Sequence, residues 1–294
     1  MIEVVKTFPD RVWADQGDGG STRGVESVLE GGGVLHFPRL AFELSQQERR
    51  FLDPVFADGK AKNISLRGSA GVLRGAAGTP EDQAEIRAML MRFRDQAQQL
   101  ADRLFPHYRG ALTLGNTSYR PVAVEGRPSS WRKDDTRLHV DAFPSNPMRG
   151  VRLLRVFTNL NPNGRPRNWR VGEPFEDFAR RFVPAIRRPW PGSSALLRAL
   201  RITKARRTAY DHYMLHLHDM GKADLEYQRS APQQAVDFAP GTTWVVYSDQ
   251  VLHAAMGGQF MMEQTFYLPP GRQQRPETAP LRVLERLLER PLLL

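Results

Sequence analysis

The pattern of hydrophobic and polar positions predicts one long helix in the first part of the chain. Thr79 can cap it, Pro80 fits its first turn, and the acidic residues Glu81 and Asp82 favour its amino end. Apolar residues then recur at helical spacing as far as residue 105, namely Ile86, Met89, Leu90, Phe93, Ala97, Leu100 and Leu104. We expect a scaffold helix that packs on a sheet.

Shorter patterns surround this helix. Residues 28–38 indicate a glycine turn and then a short strand that ends at a proline, and Ser45 to Glu48 has the polar pattern that opens a helix. From about Thr113 the chain changes to short strands separated by Gly, Pro and Asn. The clearest of these strands are predicted at 117–122, 151–160, 242–247 and 260–268.

Two helical stretches interrupt the predicted strands. Phe175, Phe178, Ala179 and Phe182 mark one face of the first, and the second runs from Ser193 to about Gln228. The tail, residues 281–294, is apolar on one side and charged on the other. It is expected to dock on its own protein or on a second copy, with contact to a membrane surface as the alternative.

Composition limits the classes of function. The 294 residues have ordinary globular composition, with 40% hydrophobic and 25% charged residues, and no apolar run is long enough to span a membrane. No cysteine is present, which excludes disulfides, thiolate metal ligands and a cysteine nucleophile. Because the first residues lack the apolar region of a secretory signal, a cytoplasmic location is expected.

The charge balance favours an anionic partner. Forty-two Lys and Arg residues oppose 32 Asp and Glu residues, giving a formal net charge of +10. This surplus suits a nucleic acid, an anionic lipid, or a phosphorylated or carboxylated substrate, and a genome rich in arginine codons would also produce it.

His139, Asp141 and His253 form the pattern with the most chemical content. His139 and Asp141 are two residues apart, and residues i and i+2 of a β-strand point to the same side, so both can reach one ion. His253 follows the predicted strand 242–247. Two imidazoles and one carboxylate are the ligands of a non-haem Fe(II) oxygenase, which keeps positions open for a co-substrate and dioxygen. We therefore predict that these three residues bind iron and are catalytic.

The order strand, His-x-Asp, long insert, strand, His, strand is typical of double-stranded β-helix oxygenases. The expected fold class is α+β, a double-stranded β-helix (jelly-roll, cupin-like) core with flanking helices. We predict a single domain over residues 1–294. It comprises a scaffold of helices and strands at 1–112, the β-helix at 113–270 with a helical insert at about 173–230, and the amphipathic tail at 271–294.

An oxygenase that uses 2-oxoglutarate needs a cation for the distal carboxylate of that co-substrate. The predicted last strand, Gln259 to Leu268, contains no Lys or Arg, so the cation must come from elsewhere. Arg155 is the first choice because it follows the His-x-Asp motif on a predicted strand. Further candidates for binding the co-substrate or its cation site are Asn159, Arg127, Arg152 and Gln264.

The loop 127–137 is basic and lies just before the His-x-Asp motif, where loops set substrate choice. Its residues Arg132, Lys133 and Arg137 are predicted to hold an anionic sugar. His212 and His216 share one helix face at i and i+4 spacing, which suits either a polar rim around the substrate or a zinc site. The polar rim is the preferred interpretation.

Long stretches of the sequence resemble the Kdo hydroxylase family, where Kdo is 3-deoxy-D-manno-oct-2-ulosonic acid. The similarity covers most of the chain and is weakest at its two ends. The residues that carry it are 118–121, 129–145, 155–162, 169–176, 210–219 and 248–255. These motifs are long enough to be specific, whereas His-x-Asp alone is not.

The resemblance implies an Fe(II)- and 2-oxoglutarate-dependent dioxygenase that hydroxylates C3 of Kdo in Kdo-lipid A. The product would be the 3-hydroxy sugar Ko of the lipopolysaccharide inner core. Iron, 2-oxoglutarate and O2 are the implied cofactors, and His139, Asp141 and His253 the implied ligands. The expected partner is an anionic glycolipid at the cytoplasmic face of the inner membrane. The alternatives are a 2-oxoglutarate oxygenase acting on a protein or nucleic acid, and a basic nucleic-acid-binding module.

Overall fold

The computed structural model describes residues 4–14, 24–125 and 130–293. Within those ranges the chain forms eleven strands and seven α-helices. The strands are β1 (Val5–Thr7), β2 (Val34–Phe37), β3 (Ile64–Arg67), β4 (Val72–Arg74), β5 (Thr113–Arg120), β6 (Arg152–Asn159), β7 (Arg167–Gly172), β8 (Gln233–Phe238), β9 (Thr243–Tyr247), β10 (His253–Gly257) and β11 (Met261–Leu268). The helices are α1 (Val25–Glu30), α2 (Pro80–Leu104), α3 (Phe175–Phe182), α4 (Ser193–Ala199), α5 (Ala209–Ala223), α6 (Leu225–Ser230) and α7 (Pro280–Leu288).

The strands form a large and a small sheet. The large sheet has the order β1-β2-β9-β6-β11-β5-β3-β4, and its neighbouring strands are antiparallel except for β1 and β2. The small sheet has the antiparallel order β10-β7-β8. His139 adds a single antiparallel bridge to His253 on the free edge of β10. The fold is thus mixed α/β with a large, mostly antiparallel sheet and several helices.

Side-chain alternation gives the large sheet two apolar faces. On β6, Leu154 and Val156 pack in the same core as helix α2, whereas Phe157 points the other way, towards the small sheet. There Trp244 stacks on Phe238 with ring centroids 4.2 Å apart, and Trp169 meets Trp244 edge-on at 5.6 Å. This aromatic core fixes the two sheets face to face.

Helix α2 begins as the sequence predicts. The Thr79 hydroxyl accepts a hydrogen bond from the Asp82 amide, and the Asp82 carboxylate accepts one from the Thr79 amide. This capping box satisfies two amides that the first turn of a helix leaves unpaired.

Replacing Thr79 with alanine should therefore lower the free energy of unfolding by about 1 kcal/mol. Urea denaturation followed by circular dichroism measures this difference. Thr79→Ser is the matched control and should retain most of the stability, because a serine hydroxyl can accept the same bond. Equal stability of the alanine variant and the parent would show that the cap contributes nothing.

Helices α3, α5 and α7 pack together around a second apolar cluster. The tail contributes Leu281, Val283, Leu284 and Leu292 to it, all of them buried. The carboxyl-terminal tail thus docks on its own chain, the first of the two alternatives that the sequence left open. Among the described helices, none has the length and apolar content that crossing a bilayer requires.

Several predicted elements differ from the structure. The helix expected at Ser45 is only a 3-10 turn at Glu48–Phe51, although Ser45 and Glu48 make the predicted reciprocal hydrogen bonds. The strand predicted at 117–122 is β5, which begins four residues earlier and ends before Pro121. The second helical stretch is three helices, α4 to α6. Strands β1, β3, β4, β7, β8 and β10 were not predicted.

Candidate metal centre

His139, Asp141 and His253 lie together between the two sheets. One ligand atom from each lies within 4.8 Å of the others, and this is the only such cluster of three His, Asp or Glu side chains in the described residues. The main chain holds them: His139 and His253 exchange two amide hydrogen bonds of 3.1 and 2.9 Å, and the Asp141 amide donates to Ser248 O at 2.8 Å. His139 and Asp141 were expected on a strand, but only the bridge to His253 forms there.

Both imidazoles are oriented by hydrogen bonds at Nδ1. His139 Nδ1 lies 2.7 Å from Arg137 O, and His253 Nδ1 lies 2.8 Å from Val251 O. A carbonyl oxygen only accepts, so each Nδ1 must carry the proton, which leaves the Nε2 lone pair available for a metal. The His253 ring also stacks on Trp169, with centroids 5.1 Å apart.

The electrostatics of the triad suit cation binding. Burial lowers the pKa of both histidines, and the proximity of His253 lowers that of His139 further, so both rings are neutral near pH 7. Burial alone would raise the pKa of Asp141, but the positive charge of Arg155 holds it below its ordinary value. The result is two neutral nitrogen ligands beside an ionised carboxylate.

Arg155 connects the triad to strand β11. Its Nη2 lies 3.0 Å from Asp141 Oδ2, and its Nη1 lies 2.9 Å from Glu263 Oε1. The Asp141 contact lacks hydrogen-bond geometry, so the buried Oδ2 has no hydrogen-bond partner among the described residues. The other oxygen, Asp141 Oδ1, lies 3.8 Å from His139 Nε2. A buried carboxylate with an unsatisfied oxygen, beside two imidazoles, fits a divalent metal.

A cavity of about 200 Å³ surrounds the triad. Its walls include Phe157, Arg167 and Trp169. Arg167 is 2% exposed, donates from Nη1 to Gly258 O at 3.0 Å, and has no carboxylate at ion-pair distance in the part of the chain that the structure describes. Burial and the charge of Arg120 lower the pKa of Arg167 to about 9. The cavity therefore contains a buried guanidinium that no carboxylate of the described residues pairs with.

A wider cleft of about 720 Å³ adjoins this cavity. Lys62, Arg120, Asp135 and Phe143 line both spaces. Lys62 forms an ion pair with Asp135. The cleft also contains Lys60, Asn63, Ser130, Lys133, Asp134 and Thr136, so its lining is polar and contains several cations.

The residues predicted to bind a co-substrate have different surroundings. Arg155 lines the cavity, whereas Asn159 and Gln264 are absent from its lining. The Asn159 amide donates to Arg165 O and Phe238 O, and Gln264 bonds to Thr117 and to Thr265 O. Both side chains therefore form hydrogen bonds within the protein and do not line the metal cavity.

The two other candidate cations for the co-substrate carboxylate are Arg152 and Arg127. Arg152 is fully buried and forms an ion pair with Asp249 at 2.7 Å. It is absent from the cavity lining. Arg127 lies outside the described residues.

The three basic residues predicted to hold the substrate also have different surroundings. Lys133 lines the cleft. Arg132 is exposed and pairs with Asp219 at 3.0 Å. Arg137 donates to Lys222 O at 2.7 Å and pairs with Asp134 at 3.2 Å, so its charge is used within the protein.

His212 and His216 do share one helix face, with ring centroids 4.3 Å apart. His212 Nε2 lies 2.8 Å from Arg187 O, and His216 is exposed. Since no third ligand joins them among the described residues, the zinc alternative lacks a ligand set. Neither ring lines the cavity or the cleft.

Sequence reasoning missed several residues of the site. Arg167 and Trp169 belong to β7, which was not predicted because its alternation consists largely of charged and polar residues. Glu263 was not predicted, although the neighbouring Gln264 on the same strand was. His218 meets His139 edge-on at 5.4 Å and bonds to Asp219. The alternation of residues 167, 169 and 171 was the one signal that could have shown which β7 side chains point inward.

Comparison with protein families gives the same assignment as the motifs. Residues 12–291 match the family model described as 3-deoxy-D-manno-oct-2-ulosonic acid (Kdo) hydroxylase. The chain belongs to the Kdo hydroxylase family. A search of curated proteins gave no match.

Solved structures of the Kdo hydroxylase KdoO are similar over almost their full length. KdoO is described as a non-heme Fe(II) alphaketoglutarate dependent dioxygenase. Its complex with alphaketoglutarate and Fe(III) has 45% sequence identity and a TM-score of 0.93, covering 98% of this chain and 97% of that chain. Its cobalt(II) complex has 46% identity and a TM-score of 0.94, with 99% and 97% coverage. A further KdoO structure contains succinate and Fe(III).

Proposed function

We propose that this chain is an Fe(II)- and 2-oxoglutarate-dependent dioxygenase that hydroxylates C3 of Kdo in Kdo-lipid A to give Ko. The observation that carries the proposal is the convergence of His139, Asp141 and His253 in a member of the Kdo hydroxylase family. The 45–46% identity with KdoO supports the same co-substrate.

The iron ligands in this proposal are His139 Nε2, His253 Nε2 and the Asp141 carboxylate. Bound iron, with 2-oxoglutarate and O2, supplies the oxidising power that replaces a C–H bond by C–OH. The protein supplies the fixed imidazole orientations, an ionised carboxylate and a cavity that shields the reacting centre. Its further task is to hold one sugar C–H at the metal and keep other hydrogens away.

We assign the core to the double-stranded β-helix class. In support, the strands of the two facing sheets alternate along the chain except for the consecutive pair β7 and β8: β5, β6, β9 and β11 belong to the large sheet, and the His139 bridge, β7, β8 and β10 to the small one. Such alternation is the pattern of a jelly roll. We take residues 1–294 as one catalytic domain, because α2 and the tail α7 both pack on this core.

For the distal carboxylate of 2-oxoglutarate, we favour Arg167 over Arg155. The charge of Arg155 is already matched by Asp141 and Glu263, which raise its pKa in spite of burial. Arg167 is buried in the same cavity, and no carboxylate among residues 4–14, 24–125 and 130–293 pairs with it. A guanidinium in that state is costly unless a ligand compensates its charge. Arg155 then acts by holding Asp141 in place.

For the glycolipid, the cleft beside the metal cavity provides the binding surface. Lys60 and Lys133 lie in its outer part, and Arg120 lies where the cleft meets the cavity. Cations in this arrangement suit a carboxylated sugar that is attached to a phosphorylated lipid. The substrate belongs to a membrane, so we place the enzyme at the cytoplasmic face of the inner membrane.

Hydroxylation of Kdo-lipid A by anaerobically reconstituted protein tests the function. With Fe(II), 2-oxoglutarate and then oxygen, the lipid should gain the mass of one oxygen atom, and an equal amount of succinate should form. Fragmentation should locate the oxygen on the Kdo sugar.

Lipid A without Kdo is the matched control substrate and should stay unchanged. Succinate formation without any mass gain on Kdo-lipid A would indicate an oxygenase that acts on another substrate. Absence of 2-oxoglutarate turnover, together with salt-dependent DNA or RNA binding, would favour the nucleic-acid module instead.

A further inference from the structure

The segment between α3 and α5 is unusually basic. From residue 187 to residue 207 it contains no Asp or Glu. Its cations are Arg187, Arg188, Arg198, Arg201, Lys204, Arg206 and Arg207. Six of the seven are exposed, and none is ion-paired to a carboxylate of the described chain. We call residues 187–207 the arginine-rich surface.

Large apolar side chains are exposed on the same surface. Trp190 is 80% exposed, Leu196 60%, Leu200 61% and Ile202 50%. These four stand within thirteen residues, whereas the other exposed large hydrophobic residues are scattered along the described chain. A local concentration of exposed apolar groups marks an interaction site.

The arginine-rich surface is attached to the loop that follows Asp141. The Lys204 amide donates to Ser145 O at 3.0 Å, and the Arg207 guanidinium donates to Pro144 O. Phe143, the residue before Pro144, lines both the metal cavity and the outer cleft. The surface therefore borders the mouth of the site.

We propose that the arginine-rich surface docks on the headgroup region of an anionic lipid bilayer. Cations attract acidic headgroups, while tryptophan and leucine side chains between them enter the boundary with the acyl chains. Tryptophan in particular is suited to this boundary, since its ring has an apolar body and a polar N–H. The tail, which the sequence suggested for this contact, has its apolar face buried against α3 and α5.

Two other kinds of binding partner fit the arginine-rich surface less well. A nucleic acid would use the arginines but would leave Leu196, Leu200 and Ile202 in water, because its backbone offers them no apolar surface. A second copy of the chain, joined through the same face by a two-fold axis, would bring two sets of seven cations together. An anionic bilayer satisfies both the charge and the apolar groups.

Vesicle binding tests the proposal without any Kdo substrate. The full chain should co-sediment with phosphatidylcholine vesicles that contain phosphatidylglycerol and only weakly with pure phosphatidylcholine vesicles. The triple variants Trp190→Ser/Leu200→Ser/Ile202→Ser and Arg198→Gln/Arg201→Gln/Arg206→Gln should each reduce the partition coefficient by about tenfold or more. Their matched controls, Val55→Ser/Val72→Ser/Leu225→Ser and Arg39→Gln/Arg67→Gln/Arg74→Gln, change exposed residues elsewhere and should bind like the parent.

The proposal is overturned if the surface variants partition like the parent, or if the parent binds both kinds of vesicle equally. It is also overturned if the variants lose single-stranded nucleic acid binding or self-association while keeping vesicle binding. Turnover of substrate dispersed in detergent separates this result from the proposed function. Surface variants that lose vesicle binding should retain that turnover, and a failure of hydroxylation in the parent would leave vesicle binding intact.

Discussion

Replacing Asp141 with asparagine should lower the rate of Kdo hydroxylation by about a thousandfold or more, which corresponds to roughly 4 kcal/mol of transition-state stabilisation. The amide has the shape of the carboxylate but carries no charge, so the metal would lose its only anionic protein ligand. The measurement is succinate formation at saturating Fe(II) and 2-oxoglutarate, together with iron affinity by titration under anaerobic conditions. We expect both to fall.

The choice of asparagine avoids a trivial loss of the fold. Asparagine keeps the side-chain volume and an oxygen beside the buried Arg155, which retains Glu263 as its charged partner, whereas truncation to alanine would also leave a cavity at this position. Asp219→Asn is the matched control: it neutralises a nearby carboxylate that pairs with Arg132 at the surface, and it should keep at least a large part of the activity. Circular dichroism checks that both variants are folded. An Asp141→Asn variant that is folded and retains more than about a tenth of the rate would remove this residue from the metal site.

The sequence predicted well wherever a feature depends on residues close together in the chain. The cap at Thr79 and the start of helix α2 follow from four consecutive residues, and strands β6, β9 and β11 follow from short segments rich in apolar, aromatic and β-branched residues. The family resemblance, carried by long motifs, is confirmed by the family model. These signals are strong because each is complete within one segment.

The remaining features depend on contacts between segments that are distant from one another in the sequence. Gln264 was chosen for its polar amide, but β-strand alternation turns it away from the face on which the neighbouring Glu263 meets Arg155. Asn159 shares the parity of Arg155, yet the loop around Arg165 takes its hydrogen bonds. Neither outcome can be read from residue type, since both depend on which strand lies opposite.

The predicted strand around the His-x-Asp motif shows the same limit. His139 makes only one bridge, because the chain beyond it turns to hydrogen-bond with Ser248 through the Asp141 amide. The i and i+2 spacing nevertheless brings the two side chains to the same cluster as His253. The i and i+2 spacing thus predicted which side chains converge, although the regular strand from which that prediction was made does not form.

Replacing Arg167 with glutamine should raise the KM for 2-oxoglutarate by about a hundredfold, with a much smaller change in the affinity for Fe(II). The expected size is that of losing one or two charge-assisted hydrogen bonds in a buried site, about 2–3 kcal/mol. In the described residues Arg167 donates to Gly258 O and makes no hydrogen bond or ion pair with a metal ligand, so its loss should not disturb iron directly. Steady-state kinetics over a range of 2-oxoglutarate concentrations measure the effect, and Arg167→Lys should recover part of it.

The same experiment on Arg155 decides between the two candidates. If Arg155 serves mainly to hold Asp141, Arg155→Gln should weaken iron binding more than it raises the KM for 2-oxoglutarate. Arg170→Gln is the matched control on strand β7, because its guanidinium points away from the cavity and donates to Thr136 O. The opposite result, a large KM effect for Arg155→Gln and little for Arg167→Gln, would return the distal-carboxylate role to the residue that the sequence first suggested. In that case the buried charge of Arg167 would need another anion, and the carboxylate of the sugar substrate would be the first to test in its place.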